Sequence, residues 1–252
     1  MTTSVSKNEV FNLKAPSTAQ GDATTQGSMK LTYVTHLPAL YEFLGKINSP
    51  LSPTDYLRAL IKSGPDAVLL RAKELSIKEY EDLLTELLPI AKTVGTELII
   101  SHHIDLAIKY NLPAQLSVPE CLDITAQAQA ESVLGYKVLM PAPFKFGVSV
   151  HSLGEAQKGE SQGAKWLVLG HLFPSRCKPG LAPRNSAECQ DVLEFAKAHH
   201  IPLHAIGGIN FNTFSQLPKG FAGIYVMTET MEQEDIYGYT KKIGRQLLSG
   251  IE

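Results

Sequence analysis

Eight short apolar runs recur along the chain, each separated from the next by a longer stretch. They are KLTYVT (30–35), DAVLLRA (66–72), ELIIS (97–101), AQLS (114–117), FGVSV (146–150), WLVLG (166–170), PLHAIG (202–207) and GIYVMT (223–228). Most of them are apolar throughout rather than alternating, which is typical of parallel strands covered on both faces. The pattern predicts a parallel sheet buried beneath helices.

The stretches between the runs have the apolar spacing of amphipathic helices. One stripe, in 77–94, consists of Tyr80, Leu83, Leu84, Leu87, Leu88 and Ala91, and 186–199 has a similar one. Eight strand–helix units over about 220 residues are the number and size expected of a (β/α)8 barrel, so we predict one barrel domain over 30–252. The weakest unit is 114–117, followed by the proline-containing stretch 118–144.

A doubly wound open sheet is the alternative architecture. Such a sheet usually has a glycine-rich turn after its first strand, and YVTHLPALYEF (33–43) contains no glycine. The missing turn favours the barrel.

Residues 1–29 are rich in Thr, Ser, Gln and Gly without apolar periodicity, which predicts a flexible, disordered tail. No signal peptide or membrane span of roughly 18 apolar residues is recognisable. The net charge of -2 gives no reason to expect a nucleic acid or a membrane as partner. Cys121, Cys177 and Cys189 form no C-x-x-C pair, which argues against disulfides and zinc and favours a cytoplasmic protein. The oligomeric state stays open, with a homo-oligomer among the options.

Polar residues follow several predicted strands, and barrel enzymes have their active sites at these carboxyl ends. Gly207 and Gly208 follow strand 7 and Thr228 ends strand 8, which is where barrels commonly bind phosphate. A tight turn without a ligand would also explain the glycine pair. Arg71 and Lys73 share one face of strand 2, so they could bind a carboxylate or phosphate together, unless one points to solvent.

Four histidines lie at predicted strand ends, and histidine is the side chain most easily tuned for proton transfer near neutral pH. They are His36, His102, His151 and His171. A structural hydrogen bond is the alternative role for each of them. A metal site made from His102 and His103 is not expected, because neighbouring strand residues face opposite ways and no third ligand is suitably spaced.

The order of these motifs resembles the thiamine-phosphate synthase/TenI family of barrels over 30–248. The most specific parts, SVHSLGEA (149–156) and GHLFPSRCKPGL (170–181), are similar to the TenI branch, the thiazole tautomerases. Synthases of the family place an Asn-Asp pair after strand 3 and an Asp after strand 4 to bind magnesium. This chain has Ser101 and His102 at the first place, and Glu120 is only loosely in register with the second.

Further positions bear on the branch. Synthases usually have glutamine where Leu69 stands and proline at position 171, whereas tautomerases have histidine at 171. Ala72 and Ser101 depart from the tautomerases, in which an acidic residue and an asparagine are usual. The resemblance therefore favours a tautomerase that departs from its branch at two positions.

The resemblance implies an isomerase of thiamin biosynthesis. This thiazole tautomerase would convert the dihydro (ylidene) tautomer of a carboxythiazole phosphate into the aromatic tautomer by acid–base proton transfer, without metal or cofactor. His171 is the implied catalytic proton shuttle. The implied ligands of the phosphorylated thiazole are Gly207, Gly208 and Thr228 at the phosphate, Arg71 and Lys178 at the carboxylate with Lys73 beside them, and Ser149 and His151 as orienting groups.

Two other functions stay open. One is a thiamine-phosphate synthase, a transferase that joins hydroxymethylpyrimidine diphosphate to thiazole phosphate and would use Mg²⁺. The other is a barrel without catalysis that binds a ligand or regulates, for which the departures at Ala72 and Ser101 are the reason.

Overall fold

The computed structural model describes residues 28–124, 144–176, 180 and 182–249. Eight parallel strands pair in chain order and close into a barrel. The strands are β1 (Lys30–Val34), β2 (Ala67–Leu70), β3 (Glu97–Ser101), β4 (Ala114–Ser117), β5 (Phe146–Val150), β6 (Trp166–Gly170), β7 (Leu203–Ile206) and β8 (Gly223–Val226). The predicted (β/α)8 barrel is confirmed and the open sheet is excluded, because β1 pairs with both β2 and β8.

Helices surround the sheet. They are α1 (Leu37–Lys46), α2 (Pro53–Lys62), α3 (Ile77–Val94), α4 (Ile104–Tyr110), α5 (118–124), α6 (Leu153–Ser161), α7 (Ser186–Ala198), α8 (Thr228–Met231) and α9 (Ile236–Ser249), with a short 3-10 turn at Phe214–Gln216. In the stretch 118–144, Pro119 lies in the first turn of α5, where proline is tolerated. Residues 125–143 lie outside the described part of the chain.

Local sequence explains where the longer helices begin and end. At the start of α3, Ser76 accepts a hydrogen bond from the backbone of Glu79, whose side chain accepts one from the backbone of Ser76. Asn185 and Glu188 form the same capping box at α7. Gly95 ends α3 with a φ of 78°, a conformation that glycine adopts without steric cost.

Two apolar clusters lie on the two faces of the sheet. The larger fills the space between strands and helices, and the smaller occupies the barrel interior. The interior cluster consists of Val34, Ala67, Leu69, Ile99, Val168 and Tyr225. Four buried polar residues, Thr32, Ser101, Gln115 and His204, also lie on barrel strands. The interior is therefore part apolar and part polar, and its polar groups need partners.

The predicted disordered tail, residues 1–29, lies outside the described residues except for Ser28 and Met29, so it stays a prediction. Among the described helices, none combines the length and the hydropathy needed to cross a membrane.

Candidate active site

A cavity of about 340 Å³ opens at the carboxyl ends of the strands, and we call it the mouth cavity. Its lining includes the predicted site residues Arg71, Lys73, Ser149, His151, His171 and Gly207. These residues lie at the carboxyl ends of four different strands, β2, β5, β6 and β7. The structure thus brings together most of the side chains that the sequence singled out.

A second cavity of about 160 Å³, here called the glycine pocket, adjoins the mouth cavity. Gly207, Gly208 and Thr228 line it, as predicted for the phosphate site. Ser175, Gly207 and Met227 line both cavities. The shared lining places the two cavities side by side at the carboxyl ends of the strands.

The glycine pair is required by backbone packing. A Cβ at Gly207 would lie 2.3 Å from the Cβ of His171, and one at Gly208 would lie 2.4 Å from the carbonyl oxygen of Pro174. Both residues have positive φ angles, 102° and 67°. The tight turn therefore needs glycine, and the same turn forms a wall of the pocket, while phosphate binding there stays a prediction.

The Arg71 guanidinium, which lines the mouth cavity, has a nitrogen without a hydrogen-bond partner among the described residues. Its backbone is held by Thr35, whose hydroxyl accepts from the Arg71 N–H at 2.7 Å and donates to the Arg71 carbonyl at 2.8 Å. Its Nη1 is buried and has no hydrogen-bond partner among the described residues. Burial, and then the positive charge of Arg71, lower the pKa of His36, so His36 is neutral at pH 7. A guanidinium with an unused donor suits an anionic ligand.

Two imidazoles near the mouth are oriented by carboxylates. His102 Nδ1 lies 2.7 Å from Glu120 Oε1, and His151 Nδ1 lies 3.1 Å from Glu155 Oε2. The hydrogen bond from His102 and, to a smaller extent, the hydrogen bonds from Ser117 lower the pKa of Glu120 to about 2. Helices α5 and α6 thus hold the two rings in fixed orientations.

His171 is only 2% exposed and lines the mouth cavity directly after β6. The peptide bond that precedes it is cis. Its carbonyl accepts from the Arg184 N–H at 3.1 Å, and the next residue, Leu172, donates to the carbonyl of Ile206 at 3.0 Å. Its position agrees with the prediction, although its role as a proton shuttle is untested. Lys178 lies outside the described residues.

The comparison with protein families decides the affiliation. The family model described as "Thiamine monophosphate synthase" matches residues 46–229, most of the barrel. The chain belongs to the thiamine monophosphate synthase family.

Several similar proteins are named thiamine-phosphate synthase. A thiamine-phosphate synthase of Roseiflexus sp. (strain RS-1) is 26% identical over 200 residues, which cover 79% of this chain and 80% of that protein. One of Pyrococcus abyssi is 28% identical over 189 residues, 74% of this chain and 84% of that protein. A solved thiamine phosphate pyrophosphorylase of Pyrococcus furiosus superposes with a TM-score of 0.67 at 24% identity, covering 87% of this chain and 97% of that one, and shows the same fold.

These names correct one prediction. The thiazole tautomerase, and with it the isomerase class, was wrong as the main function, because the similar family members are named thiamine-phosphate synthase. The prediction had given decisive weight to His171 and to the missing Asn-Asp pair. The family affiliation itself is confirmed.

The magnesium site implied for synthases does not fit this member of the family. No group of three or more His, Cys, Asp or Glu side chains in the described ranges could hold a metal ion. The Glu120 carboxylate accepts from His102 and from the backbone and hydroxyl of Ser117. With its oxygens so engaged, Glu120 offers little to a hard cation that prefers oxygen ligands.

Sequence reasoning gave no role to three residues at the site, although the strand order places Gln115 at the carboxyl end of strand 4. Glu229 lines the glycine pocket, Gln115 lines the mouth cavity, and Trp166 donates a hydrogen bond to Gln115. The signal for Gln115 was a long polar side chain within a short buried strand, AQLS. No comparable signal pointed to Trp166, because a tryptophan at a strand start is ordinary in a core.

Proposed function

We propose that this chain is a thiamine-phosphate synthase, which transfers the hydroxymethylpyrimidine group from its diphosphate to the ring nitrogen of thiazole phosphate. The observation that carries the proposal is the pair of adjoining cavities, with Arg71 lining the mouth cavity and the glycine pair lining the glycine pocket. The names of the similar family members support it.

The two substrates carry negative charge at two points, the diphosphate of one and the phosphate of the other. A C–N bond forms as the C–O bond to the diphosphate breaks, and the electron pair of that bond stays on the departing oxygen. The half-buried Arg71 would bind the diphosphate, with Lys73 beside it, and stabilise the charge that develops there. The thiazole phosphate would lie in the glycine pocket, where the turn between Gly207 and Gly208 brings the backbone close.

Histidine has a different part in this reaction from the one first predicted. The bond exchange moves no proton, so it requires no shuttle at His171. Its burial and its contact with Gly207 make it a wall of the substrate space. His151, held by Glu155, would orient a substrate beside Ser149.

The test is direct turnover of the purified chain. We would incubate it with hydroxymethylpyrimidine diphosphate and thiazole phosphate, with Mg²⁺ and separately with EDTA, and follow thiamine phosphate and released pyrophosphate. Arg71→Gln should lower kcat/KM about 100-fold, since a preorganised charged hydrogen bond to a leaving group is worth about 3 kcal/mol. Arg58→Gln is the matched control, because Arg58 lies outside both cavities and forms ion pairs with Asp55 and Glu86 at the surface. Absence of pyrophosphate release by the wild type under both conditions would refute the proposal.

A further inference from the structure

A chain of hydrogen bonds crosses the barrel interior and ends at Ser149 in the mouth cavity. The Trp166 Nε1–H donates to Gln115 Oε1 at 2.7 Å, and the Gln115 amide nitrogen donates to Ser149 Oγ at 3.0 Å. Gln115 is 4% exposed. Two strong hydrogen bonds therefore hold its amide in a site closed to solvent.

The strand register explains why these three side chains meet. Gln115 on β4 pairs with Gly147 on β5, which pairs with Trp166 on β6. A Cβ at Gly147 would lie 2.1 Å from the indole ring. Because β5 has no side chain at this position, the indole crosses it and reaches Gln115. Ser149 lies two residues further along β5, on the same face and nearer the mouth.

The donor and acceptor chemistry fixes the direction of every bond in the chain. An indole N–H can only donate, so the amide oxygen of Gln115 must face Trp166 and its NH₂ group must face Ser149. Ser149 Oγ must then accept. Its own hydroxyl hydrogen is left to donate, and none of the hydrogen bonds between the described residues uses it.

We propose that Gln115 and Trp166 are positioning residues that make Ser149 a hydrogen-bond donor toward the bound substrate. The substrate would present an acceptor atom there, either a phosphoryl oxygen or a pyrimidine ring nitrogen. This inference rests on the proposed function for its substrate, whereas the polarity of the bonds stands independently of it.

The first test reverses the direction of the hydrogen bond between residue 115 and Ser149 with a side chain of nearly the same shape. Gln115→Glu places a carboxylate that, when ionised, accepts from both neighbours, so Ser149 must donate to it and can no longer donate to the substrate. At pH 9 we expect kcat/KM to fall at least 10-fold, with partial recovery as the pH falls and a protonated carboxyl group again donates to Ser149. Gln115→Met, which has neither donor nor acceptor, should lower kcat/KM at every pH.

A double-mutant cycle shows whether the effect passes through Ser149. Ser149→Ala alone should cost at least 10-fold, and Gln115→Met added to it should cost little more, because the hydroxyl to be positioned is gone. Gln216→Glu, an exposed glutamine outside the site, should match the wild type. Independent, multiplicative losses in the double variant would overturn the proposal.

A spectroscopic readout separates this inference from the proposed function. Trp166 is the single tryptophan of the chain, so its indole N–H gives one NMR signal. Pyrophosphate, and in a second titration hydroxymethylpyrimidine, should shift that signal in the wild type but not in Ser149→Ala, and the effective ligand identifies the acceptor. If the wild type makes no thiamine phosphate yet the signal responds, the proposed synthase activity is wrong. The role of Trp166 and Gln115 in positioning Ser149 is then still supported. A signal unmoved by either ligand at saturation, with binding verified by calorimetry, contradicts the inference.

Discussion

His204 shows what one buried polar residue costs the fold. It lies on β7 at the amino-terminal end of the barrel interior, is 7% exposed, and packs edge-on against Tyr225. Burial, and to a lesser degree the charge of Lys30, lower its pKa from 6.5 to about 4. The folded protein therefore keeps His204 neutral at pH values where the unfolded chain protonates it.

This difference predicts a pH-dependent stability. Between about pH 6.5 and 4 the unfolded state binds a proton that the folded state does not. The free energy of unfolding is therefore highest above pH 6.5 and decreases as the pH falls through that window. A shift of this size corresponds to roughly 3 kcal/mol. His204→Gln should flatten the decline of the free energy of unfolding between pH 7 and 4.5, measured by urea denaturation. The exposed His199→Gln is the control, and equal slopes in wild type and His204→Gln would contradict the assignment.

Glu229 presents a residue-scale problem for phosphate binding. It is half-buried in the glycine pocket, and burial raises its pKa, with Arg176 opposing the effect. Its charged form would repel a phosphate dianion. At pH 8 we expect Glu229→Gln to bind inorganic phosphate about five-fold more tightly than the wild type, because removing one nearby like charge is worth about 1 kcal/mol. Calorimetry checks this, with Glu234→Gln, an exposed neighbour, as control. Weaker binding by Glu229→Gln would show that Glu229 donates to the phosphate instead.

At the scale of elements, Thr240 joins the first strand to the last helix. Its Oγ1 lies 2.7 Å from the Tyr33 hydroxyl on β1 and 2.8 Å from Ser63 Oγ after α2. It also donates to the Ile236 carbonyl at 2.9 Å within α9. Tyr33 is fully buried, so its hydroxyl depends on this partner.

Thr240→Val keeps the shape and removes the hydroxyl. We expect the free energy of unfolding to fall by about 1–3 kcal/mol, because the Tyr33 hydroxyl is left buried without a partner. Thr85→Val, which removes an exposed hydroxyl bonded to the Asp82 carbonyl within α3, should change it by less than about 0.5 kcal/mol. Adding Tyr33→Phe to Thr240→Val should recover part of the loss, and a further full loss would argue against this explanation.

Elements were predictable from the sequence to different degrees. The strands β3 to β6 begin and end where the apolar runs do, including the short β4 that looked weakest. The strands β2 and β7 are shorter than the apolar runs that predicted them, because residues after each strand, such as Arg71 and Gly207, turn toward the mouth cavity. Apolar periodicity reports burial, and burial continues beyond the hydrogen-bonded ladder.

The site was predictable where chemistry follows strand ends, and not where it depends on packing. Arg71 and the glycine pair could be placed from the strand order alone. The hydrogen bonds from Trp166 through Gln115 to Ser149 could not be predicted, because they depend on the strand register that places Gly147 between Gln115 and Trp166. Reaction class was the hardest inference. His171 has the position expected of an acid–base group, but position alone does not state which reaction takes place beside it.

At the scale of the whole molecule, barrel closure needs no residue before Lys30. The pairs that join β1 to β8 begin at Lys30 and Gly223, and all eight strands follow that point. A closed sheet has no open edge for an additional strand to complete. The segment 1–27 should therefore be dispensable for folding of the barrel.

Deleting residues 1–27 tests this argument. We expect the shortened chain to unfold at the same temperature as the full chain within about 3 °C, since a larger drop at this size would represent roughly 1 kcal/mol or more of lost contacts. Its kcat/KM in the synthase assay should also be unchanged, because the mouth cavity and the glycine pocket lie at the carboxyl ends of the strands and β1 begins at the other end. A variant in which residues 1–27 are replaced by a Gly/Ser segment of equal length controls for chain length. Loss of stability in both variants would mean that this segment packs on the barrel, whereas loss of activity at full stability would place it in the catalytic cycle.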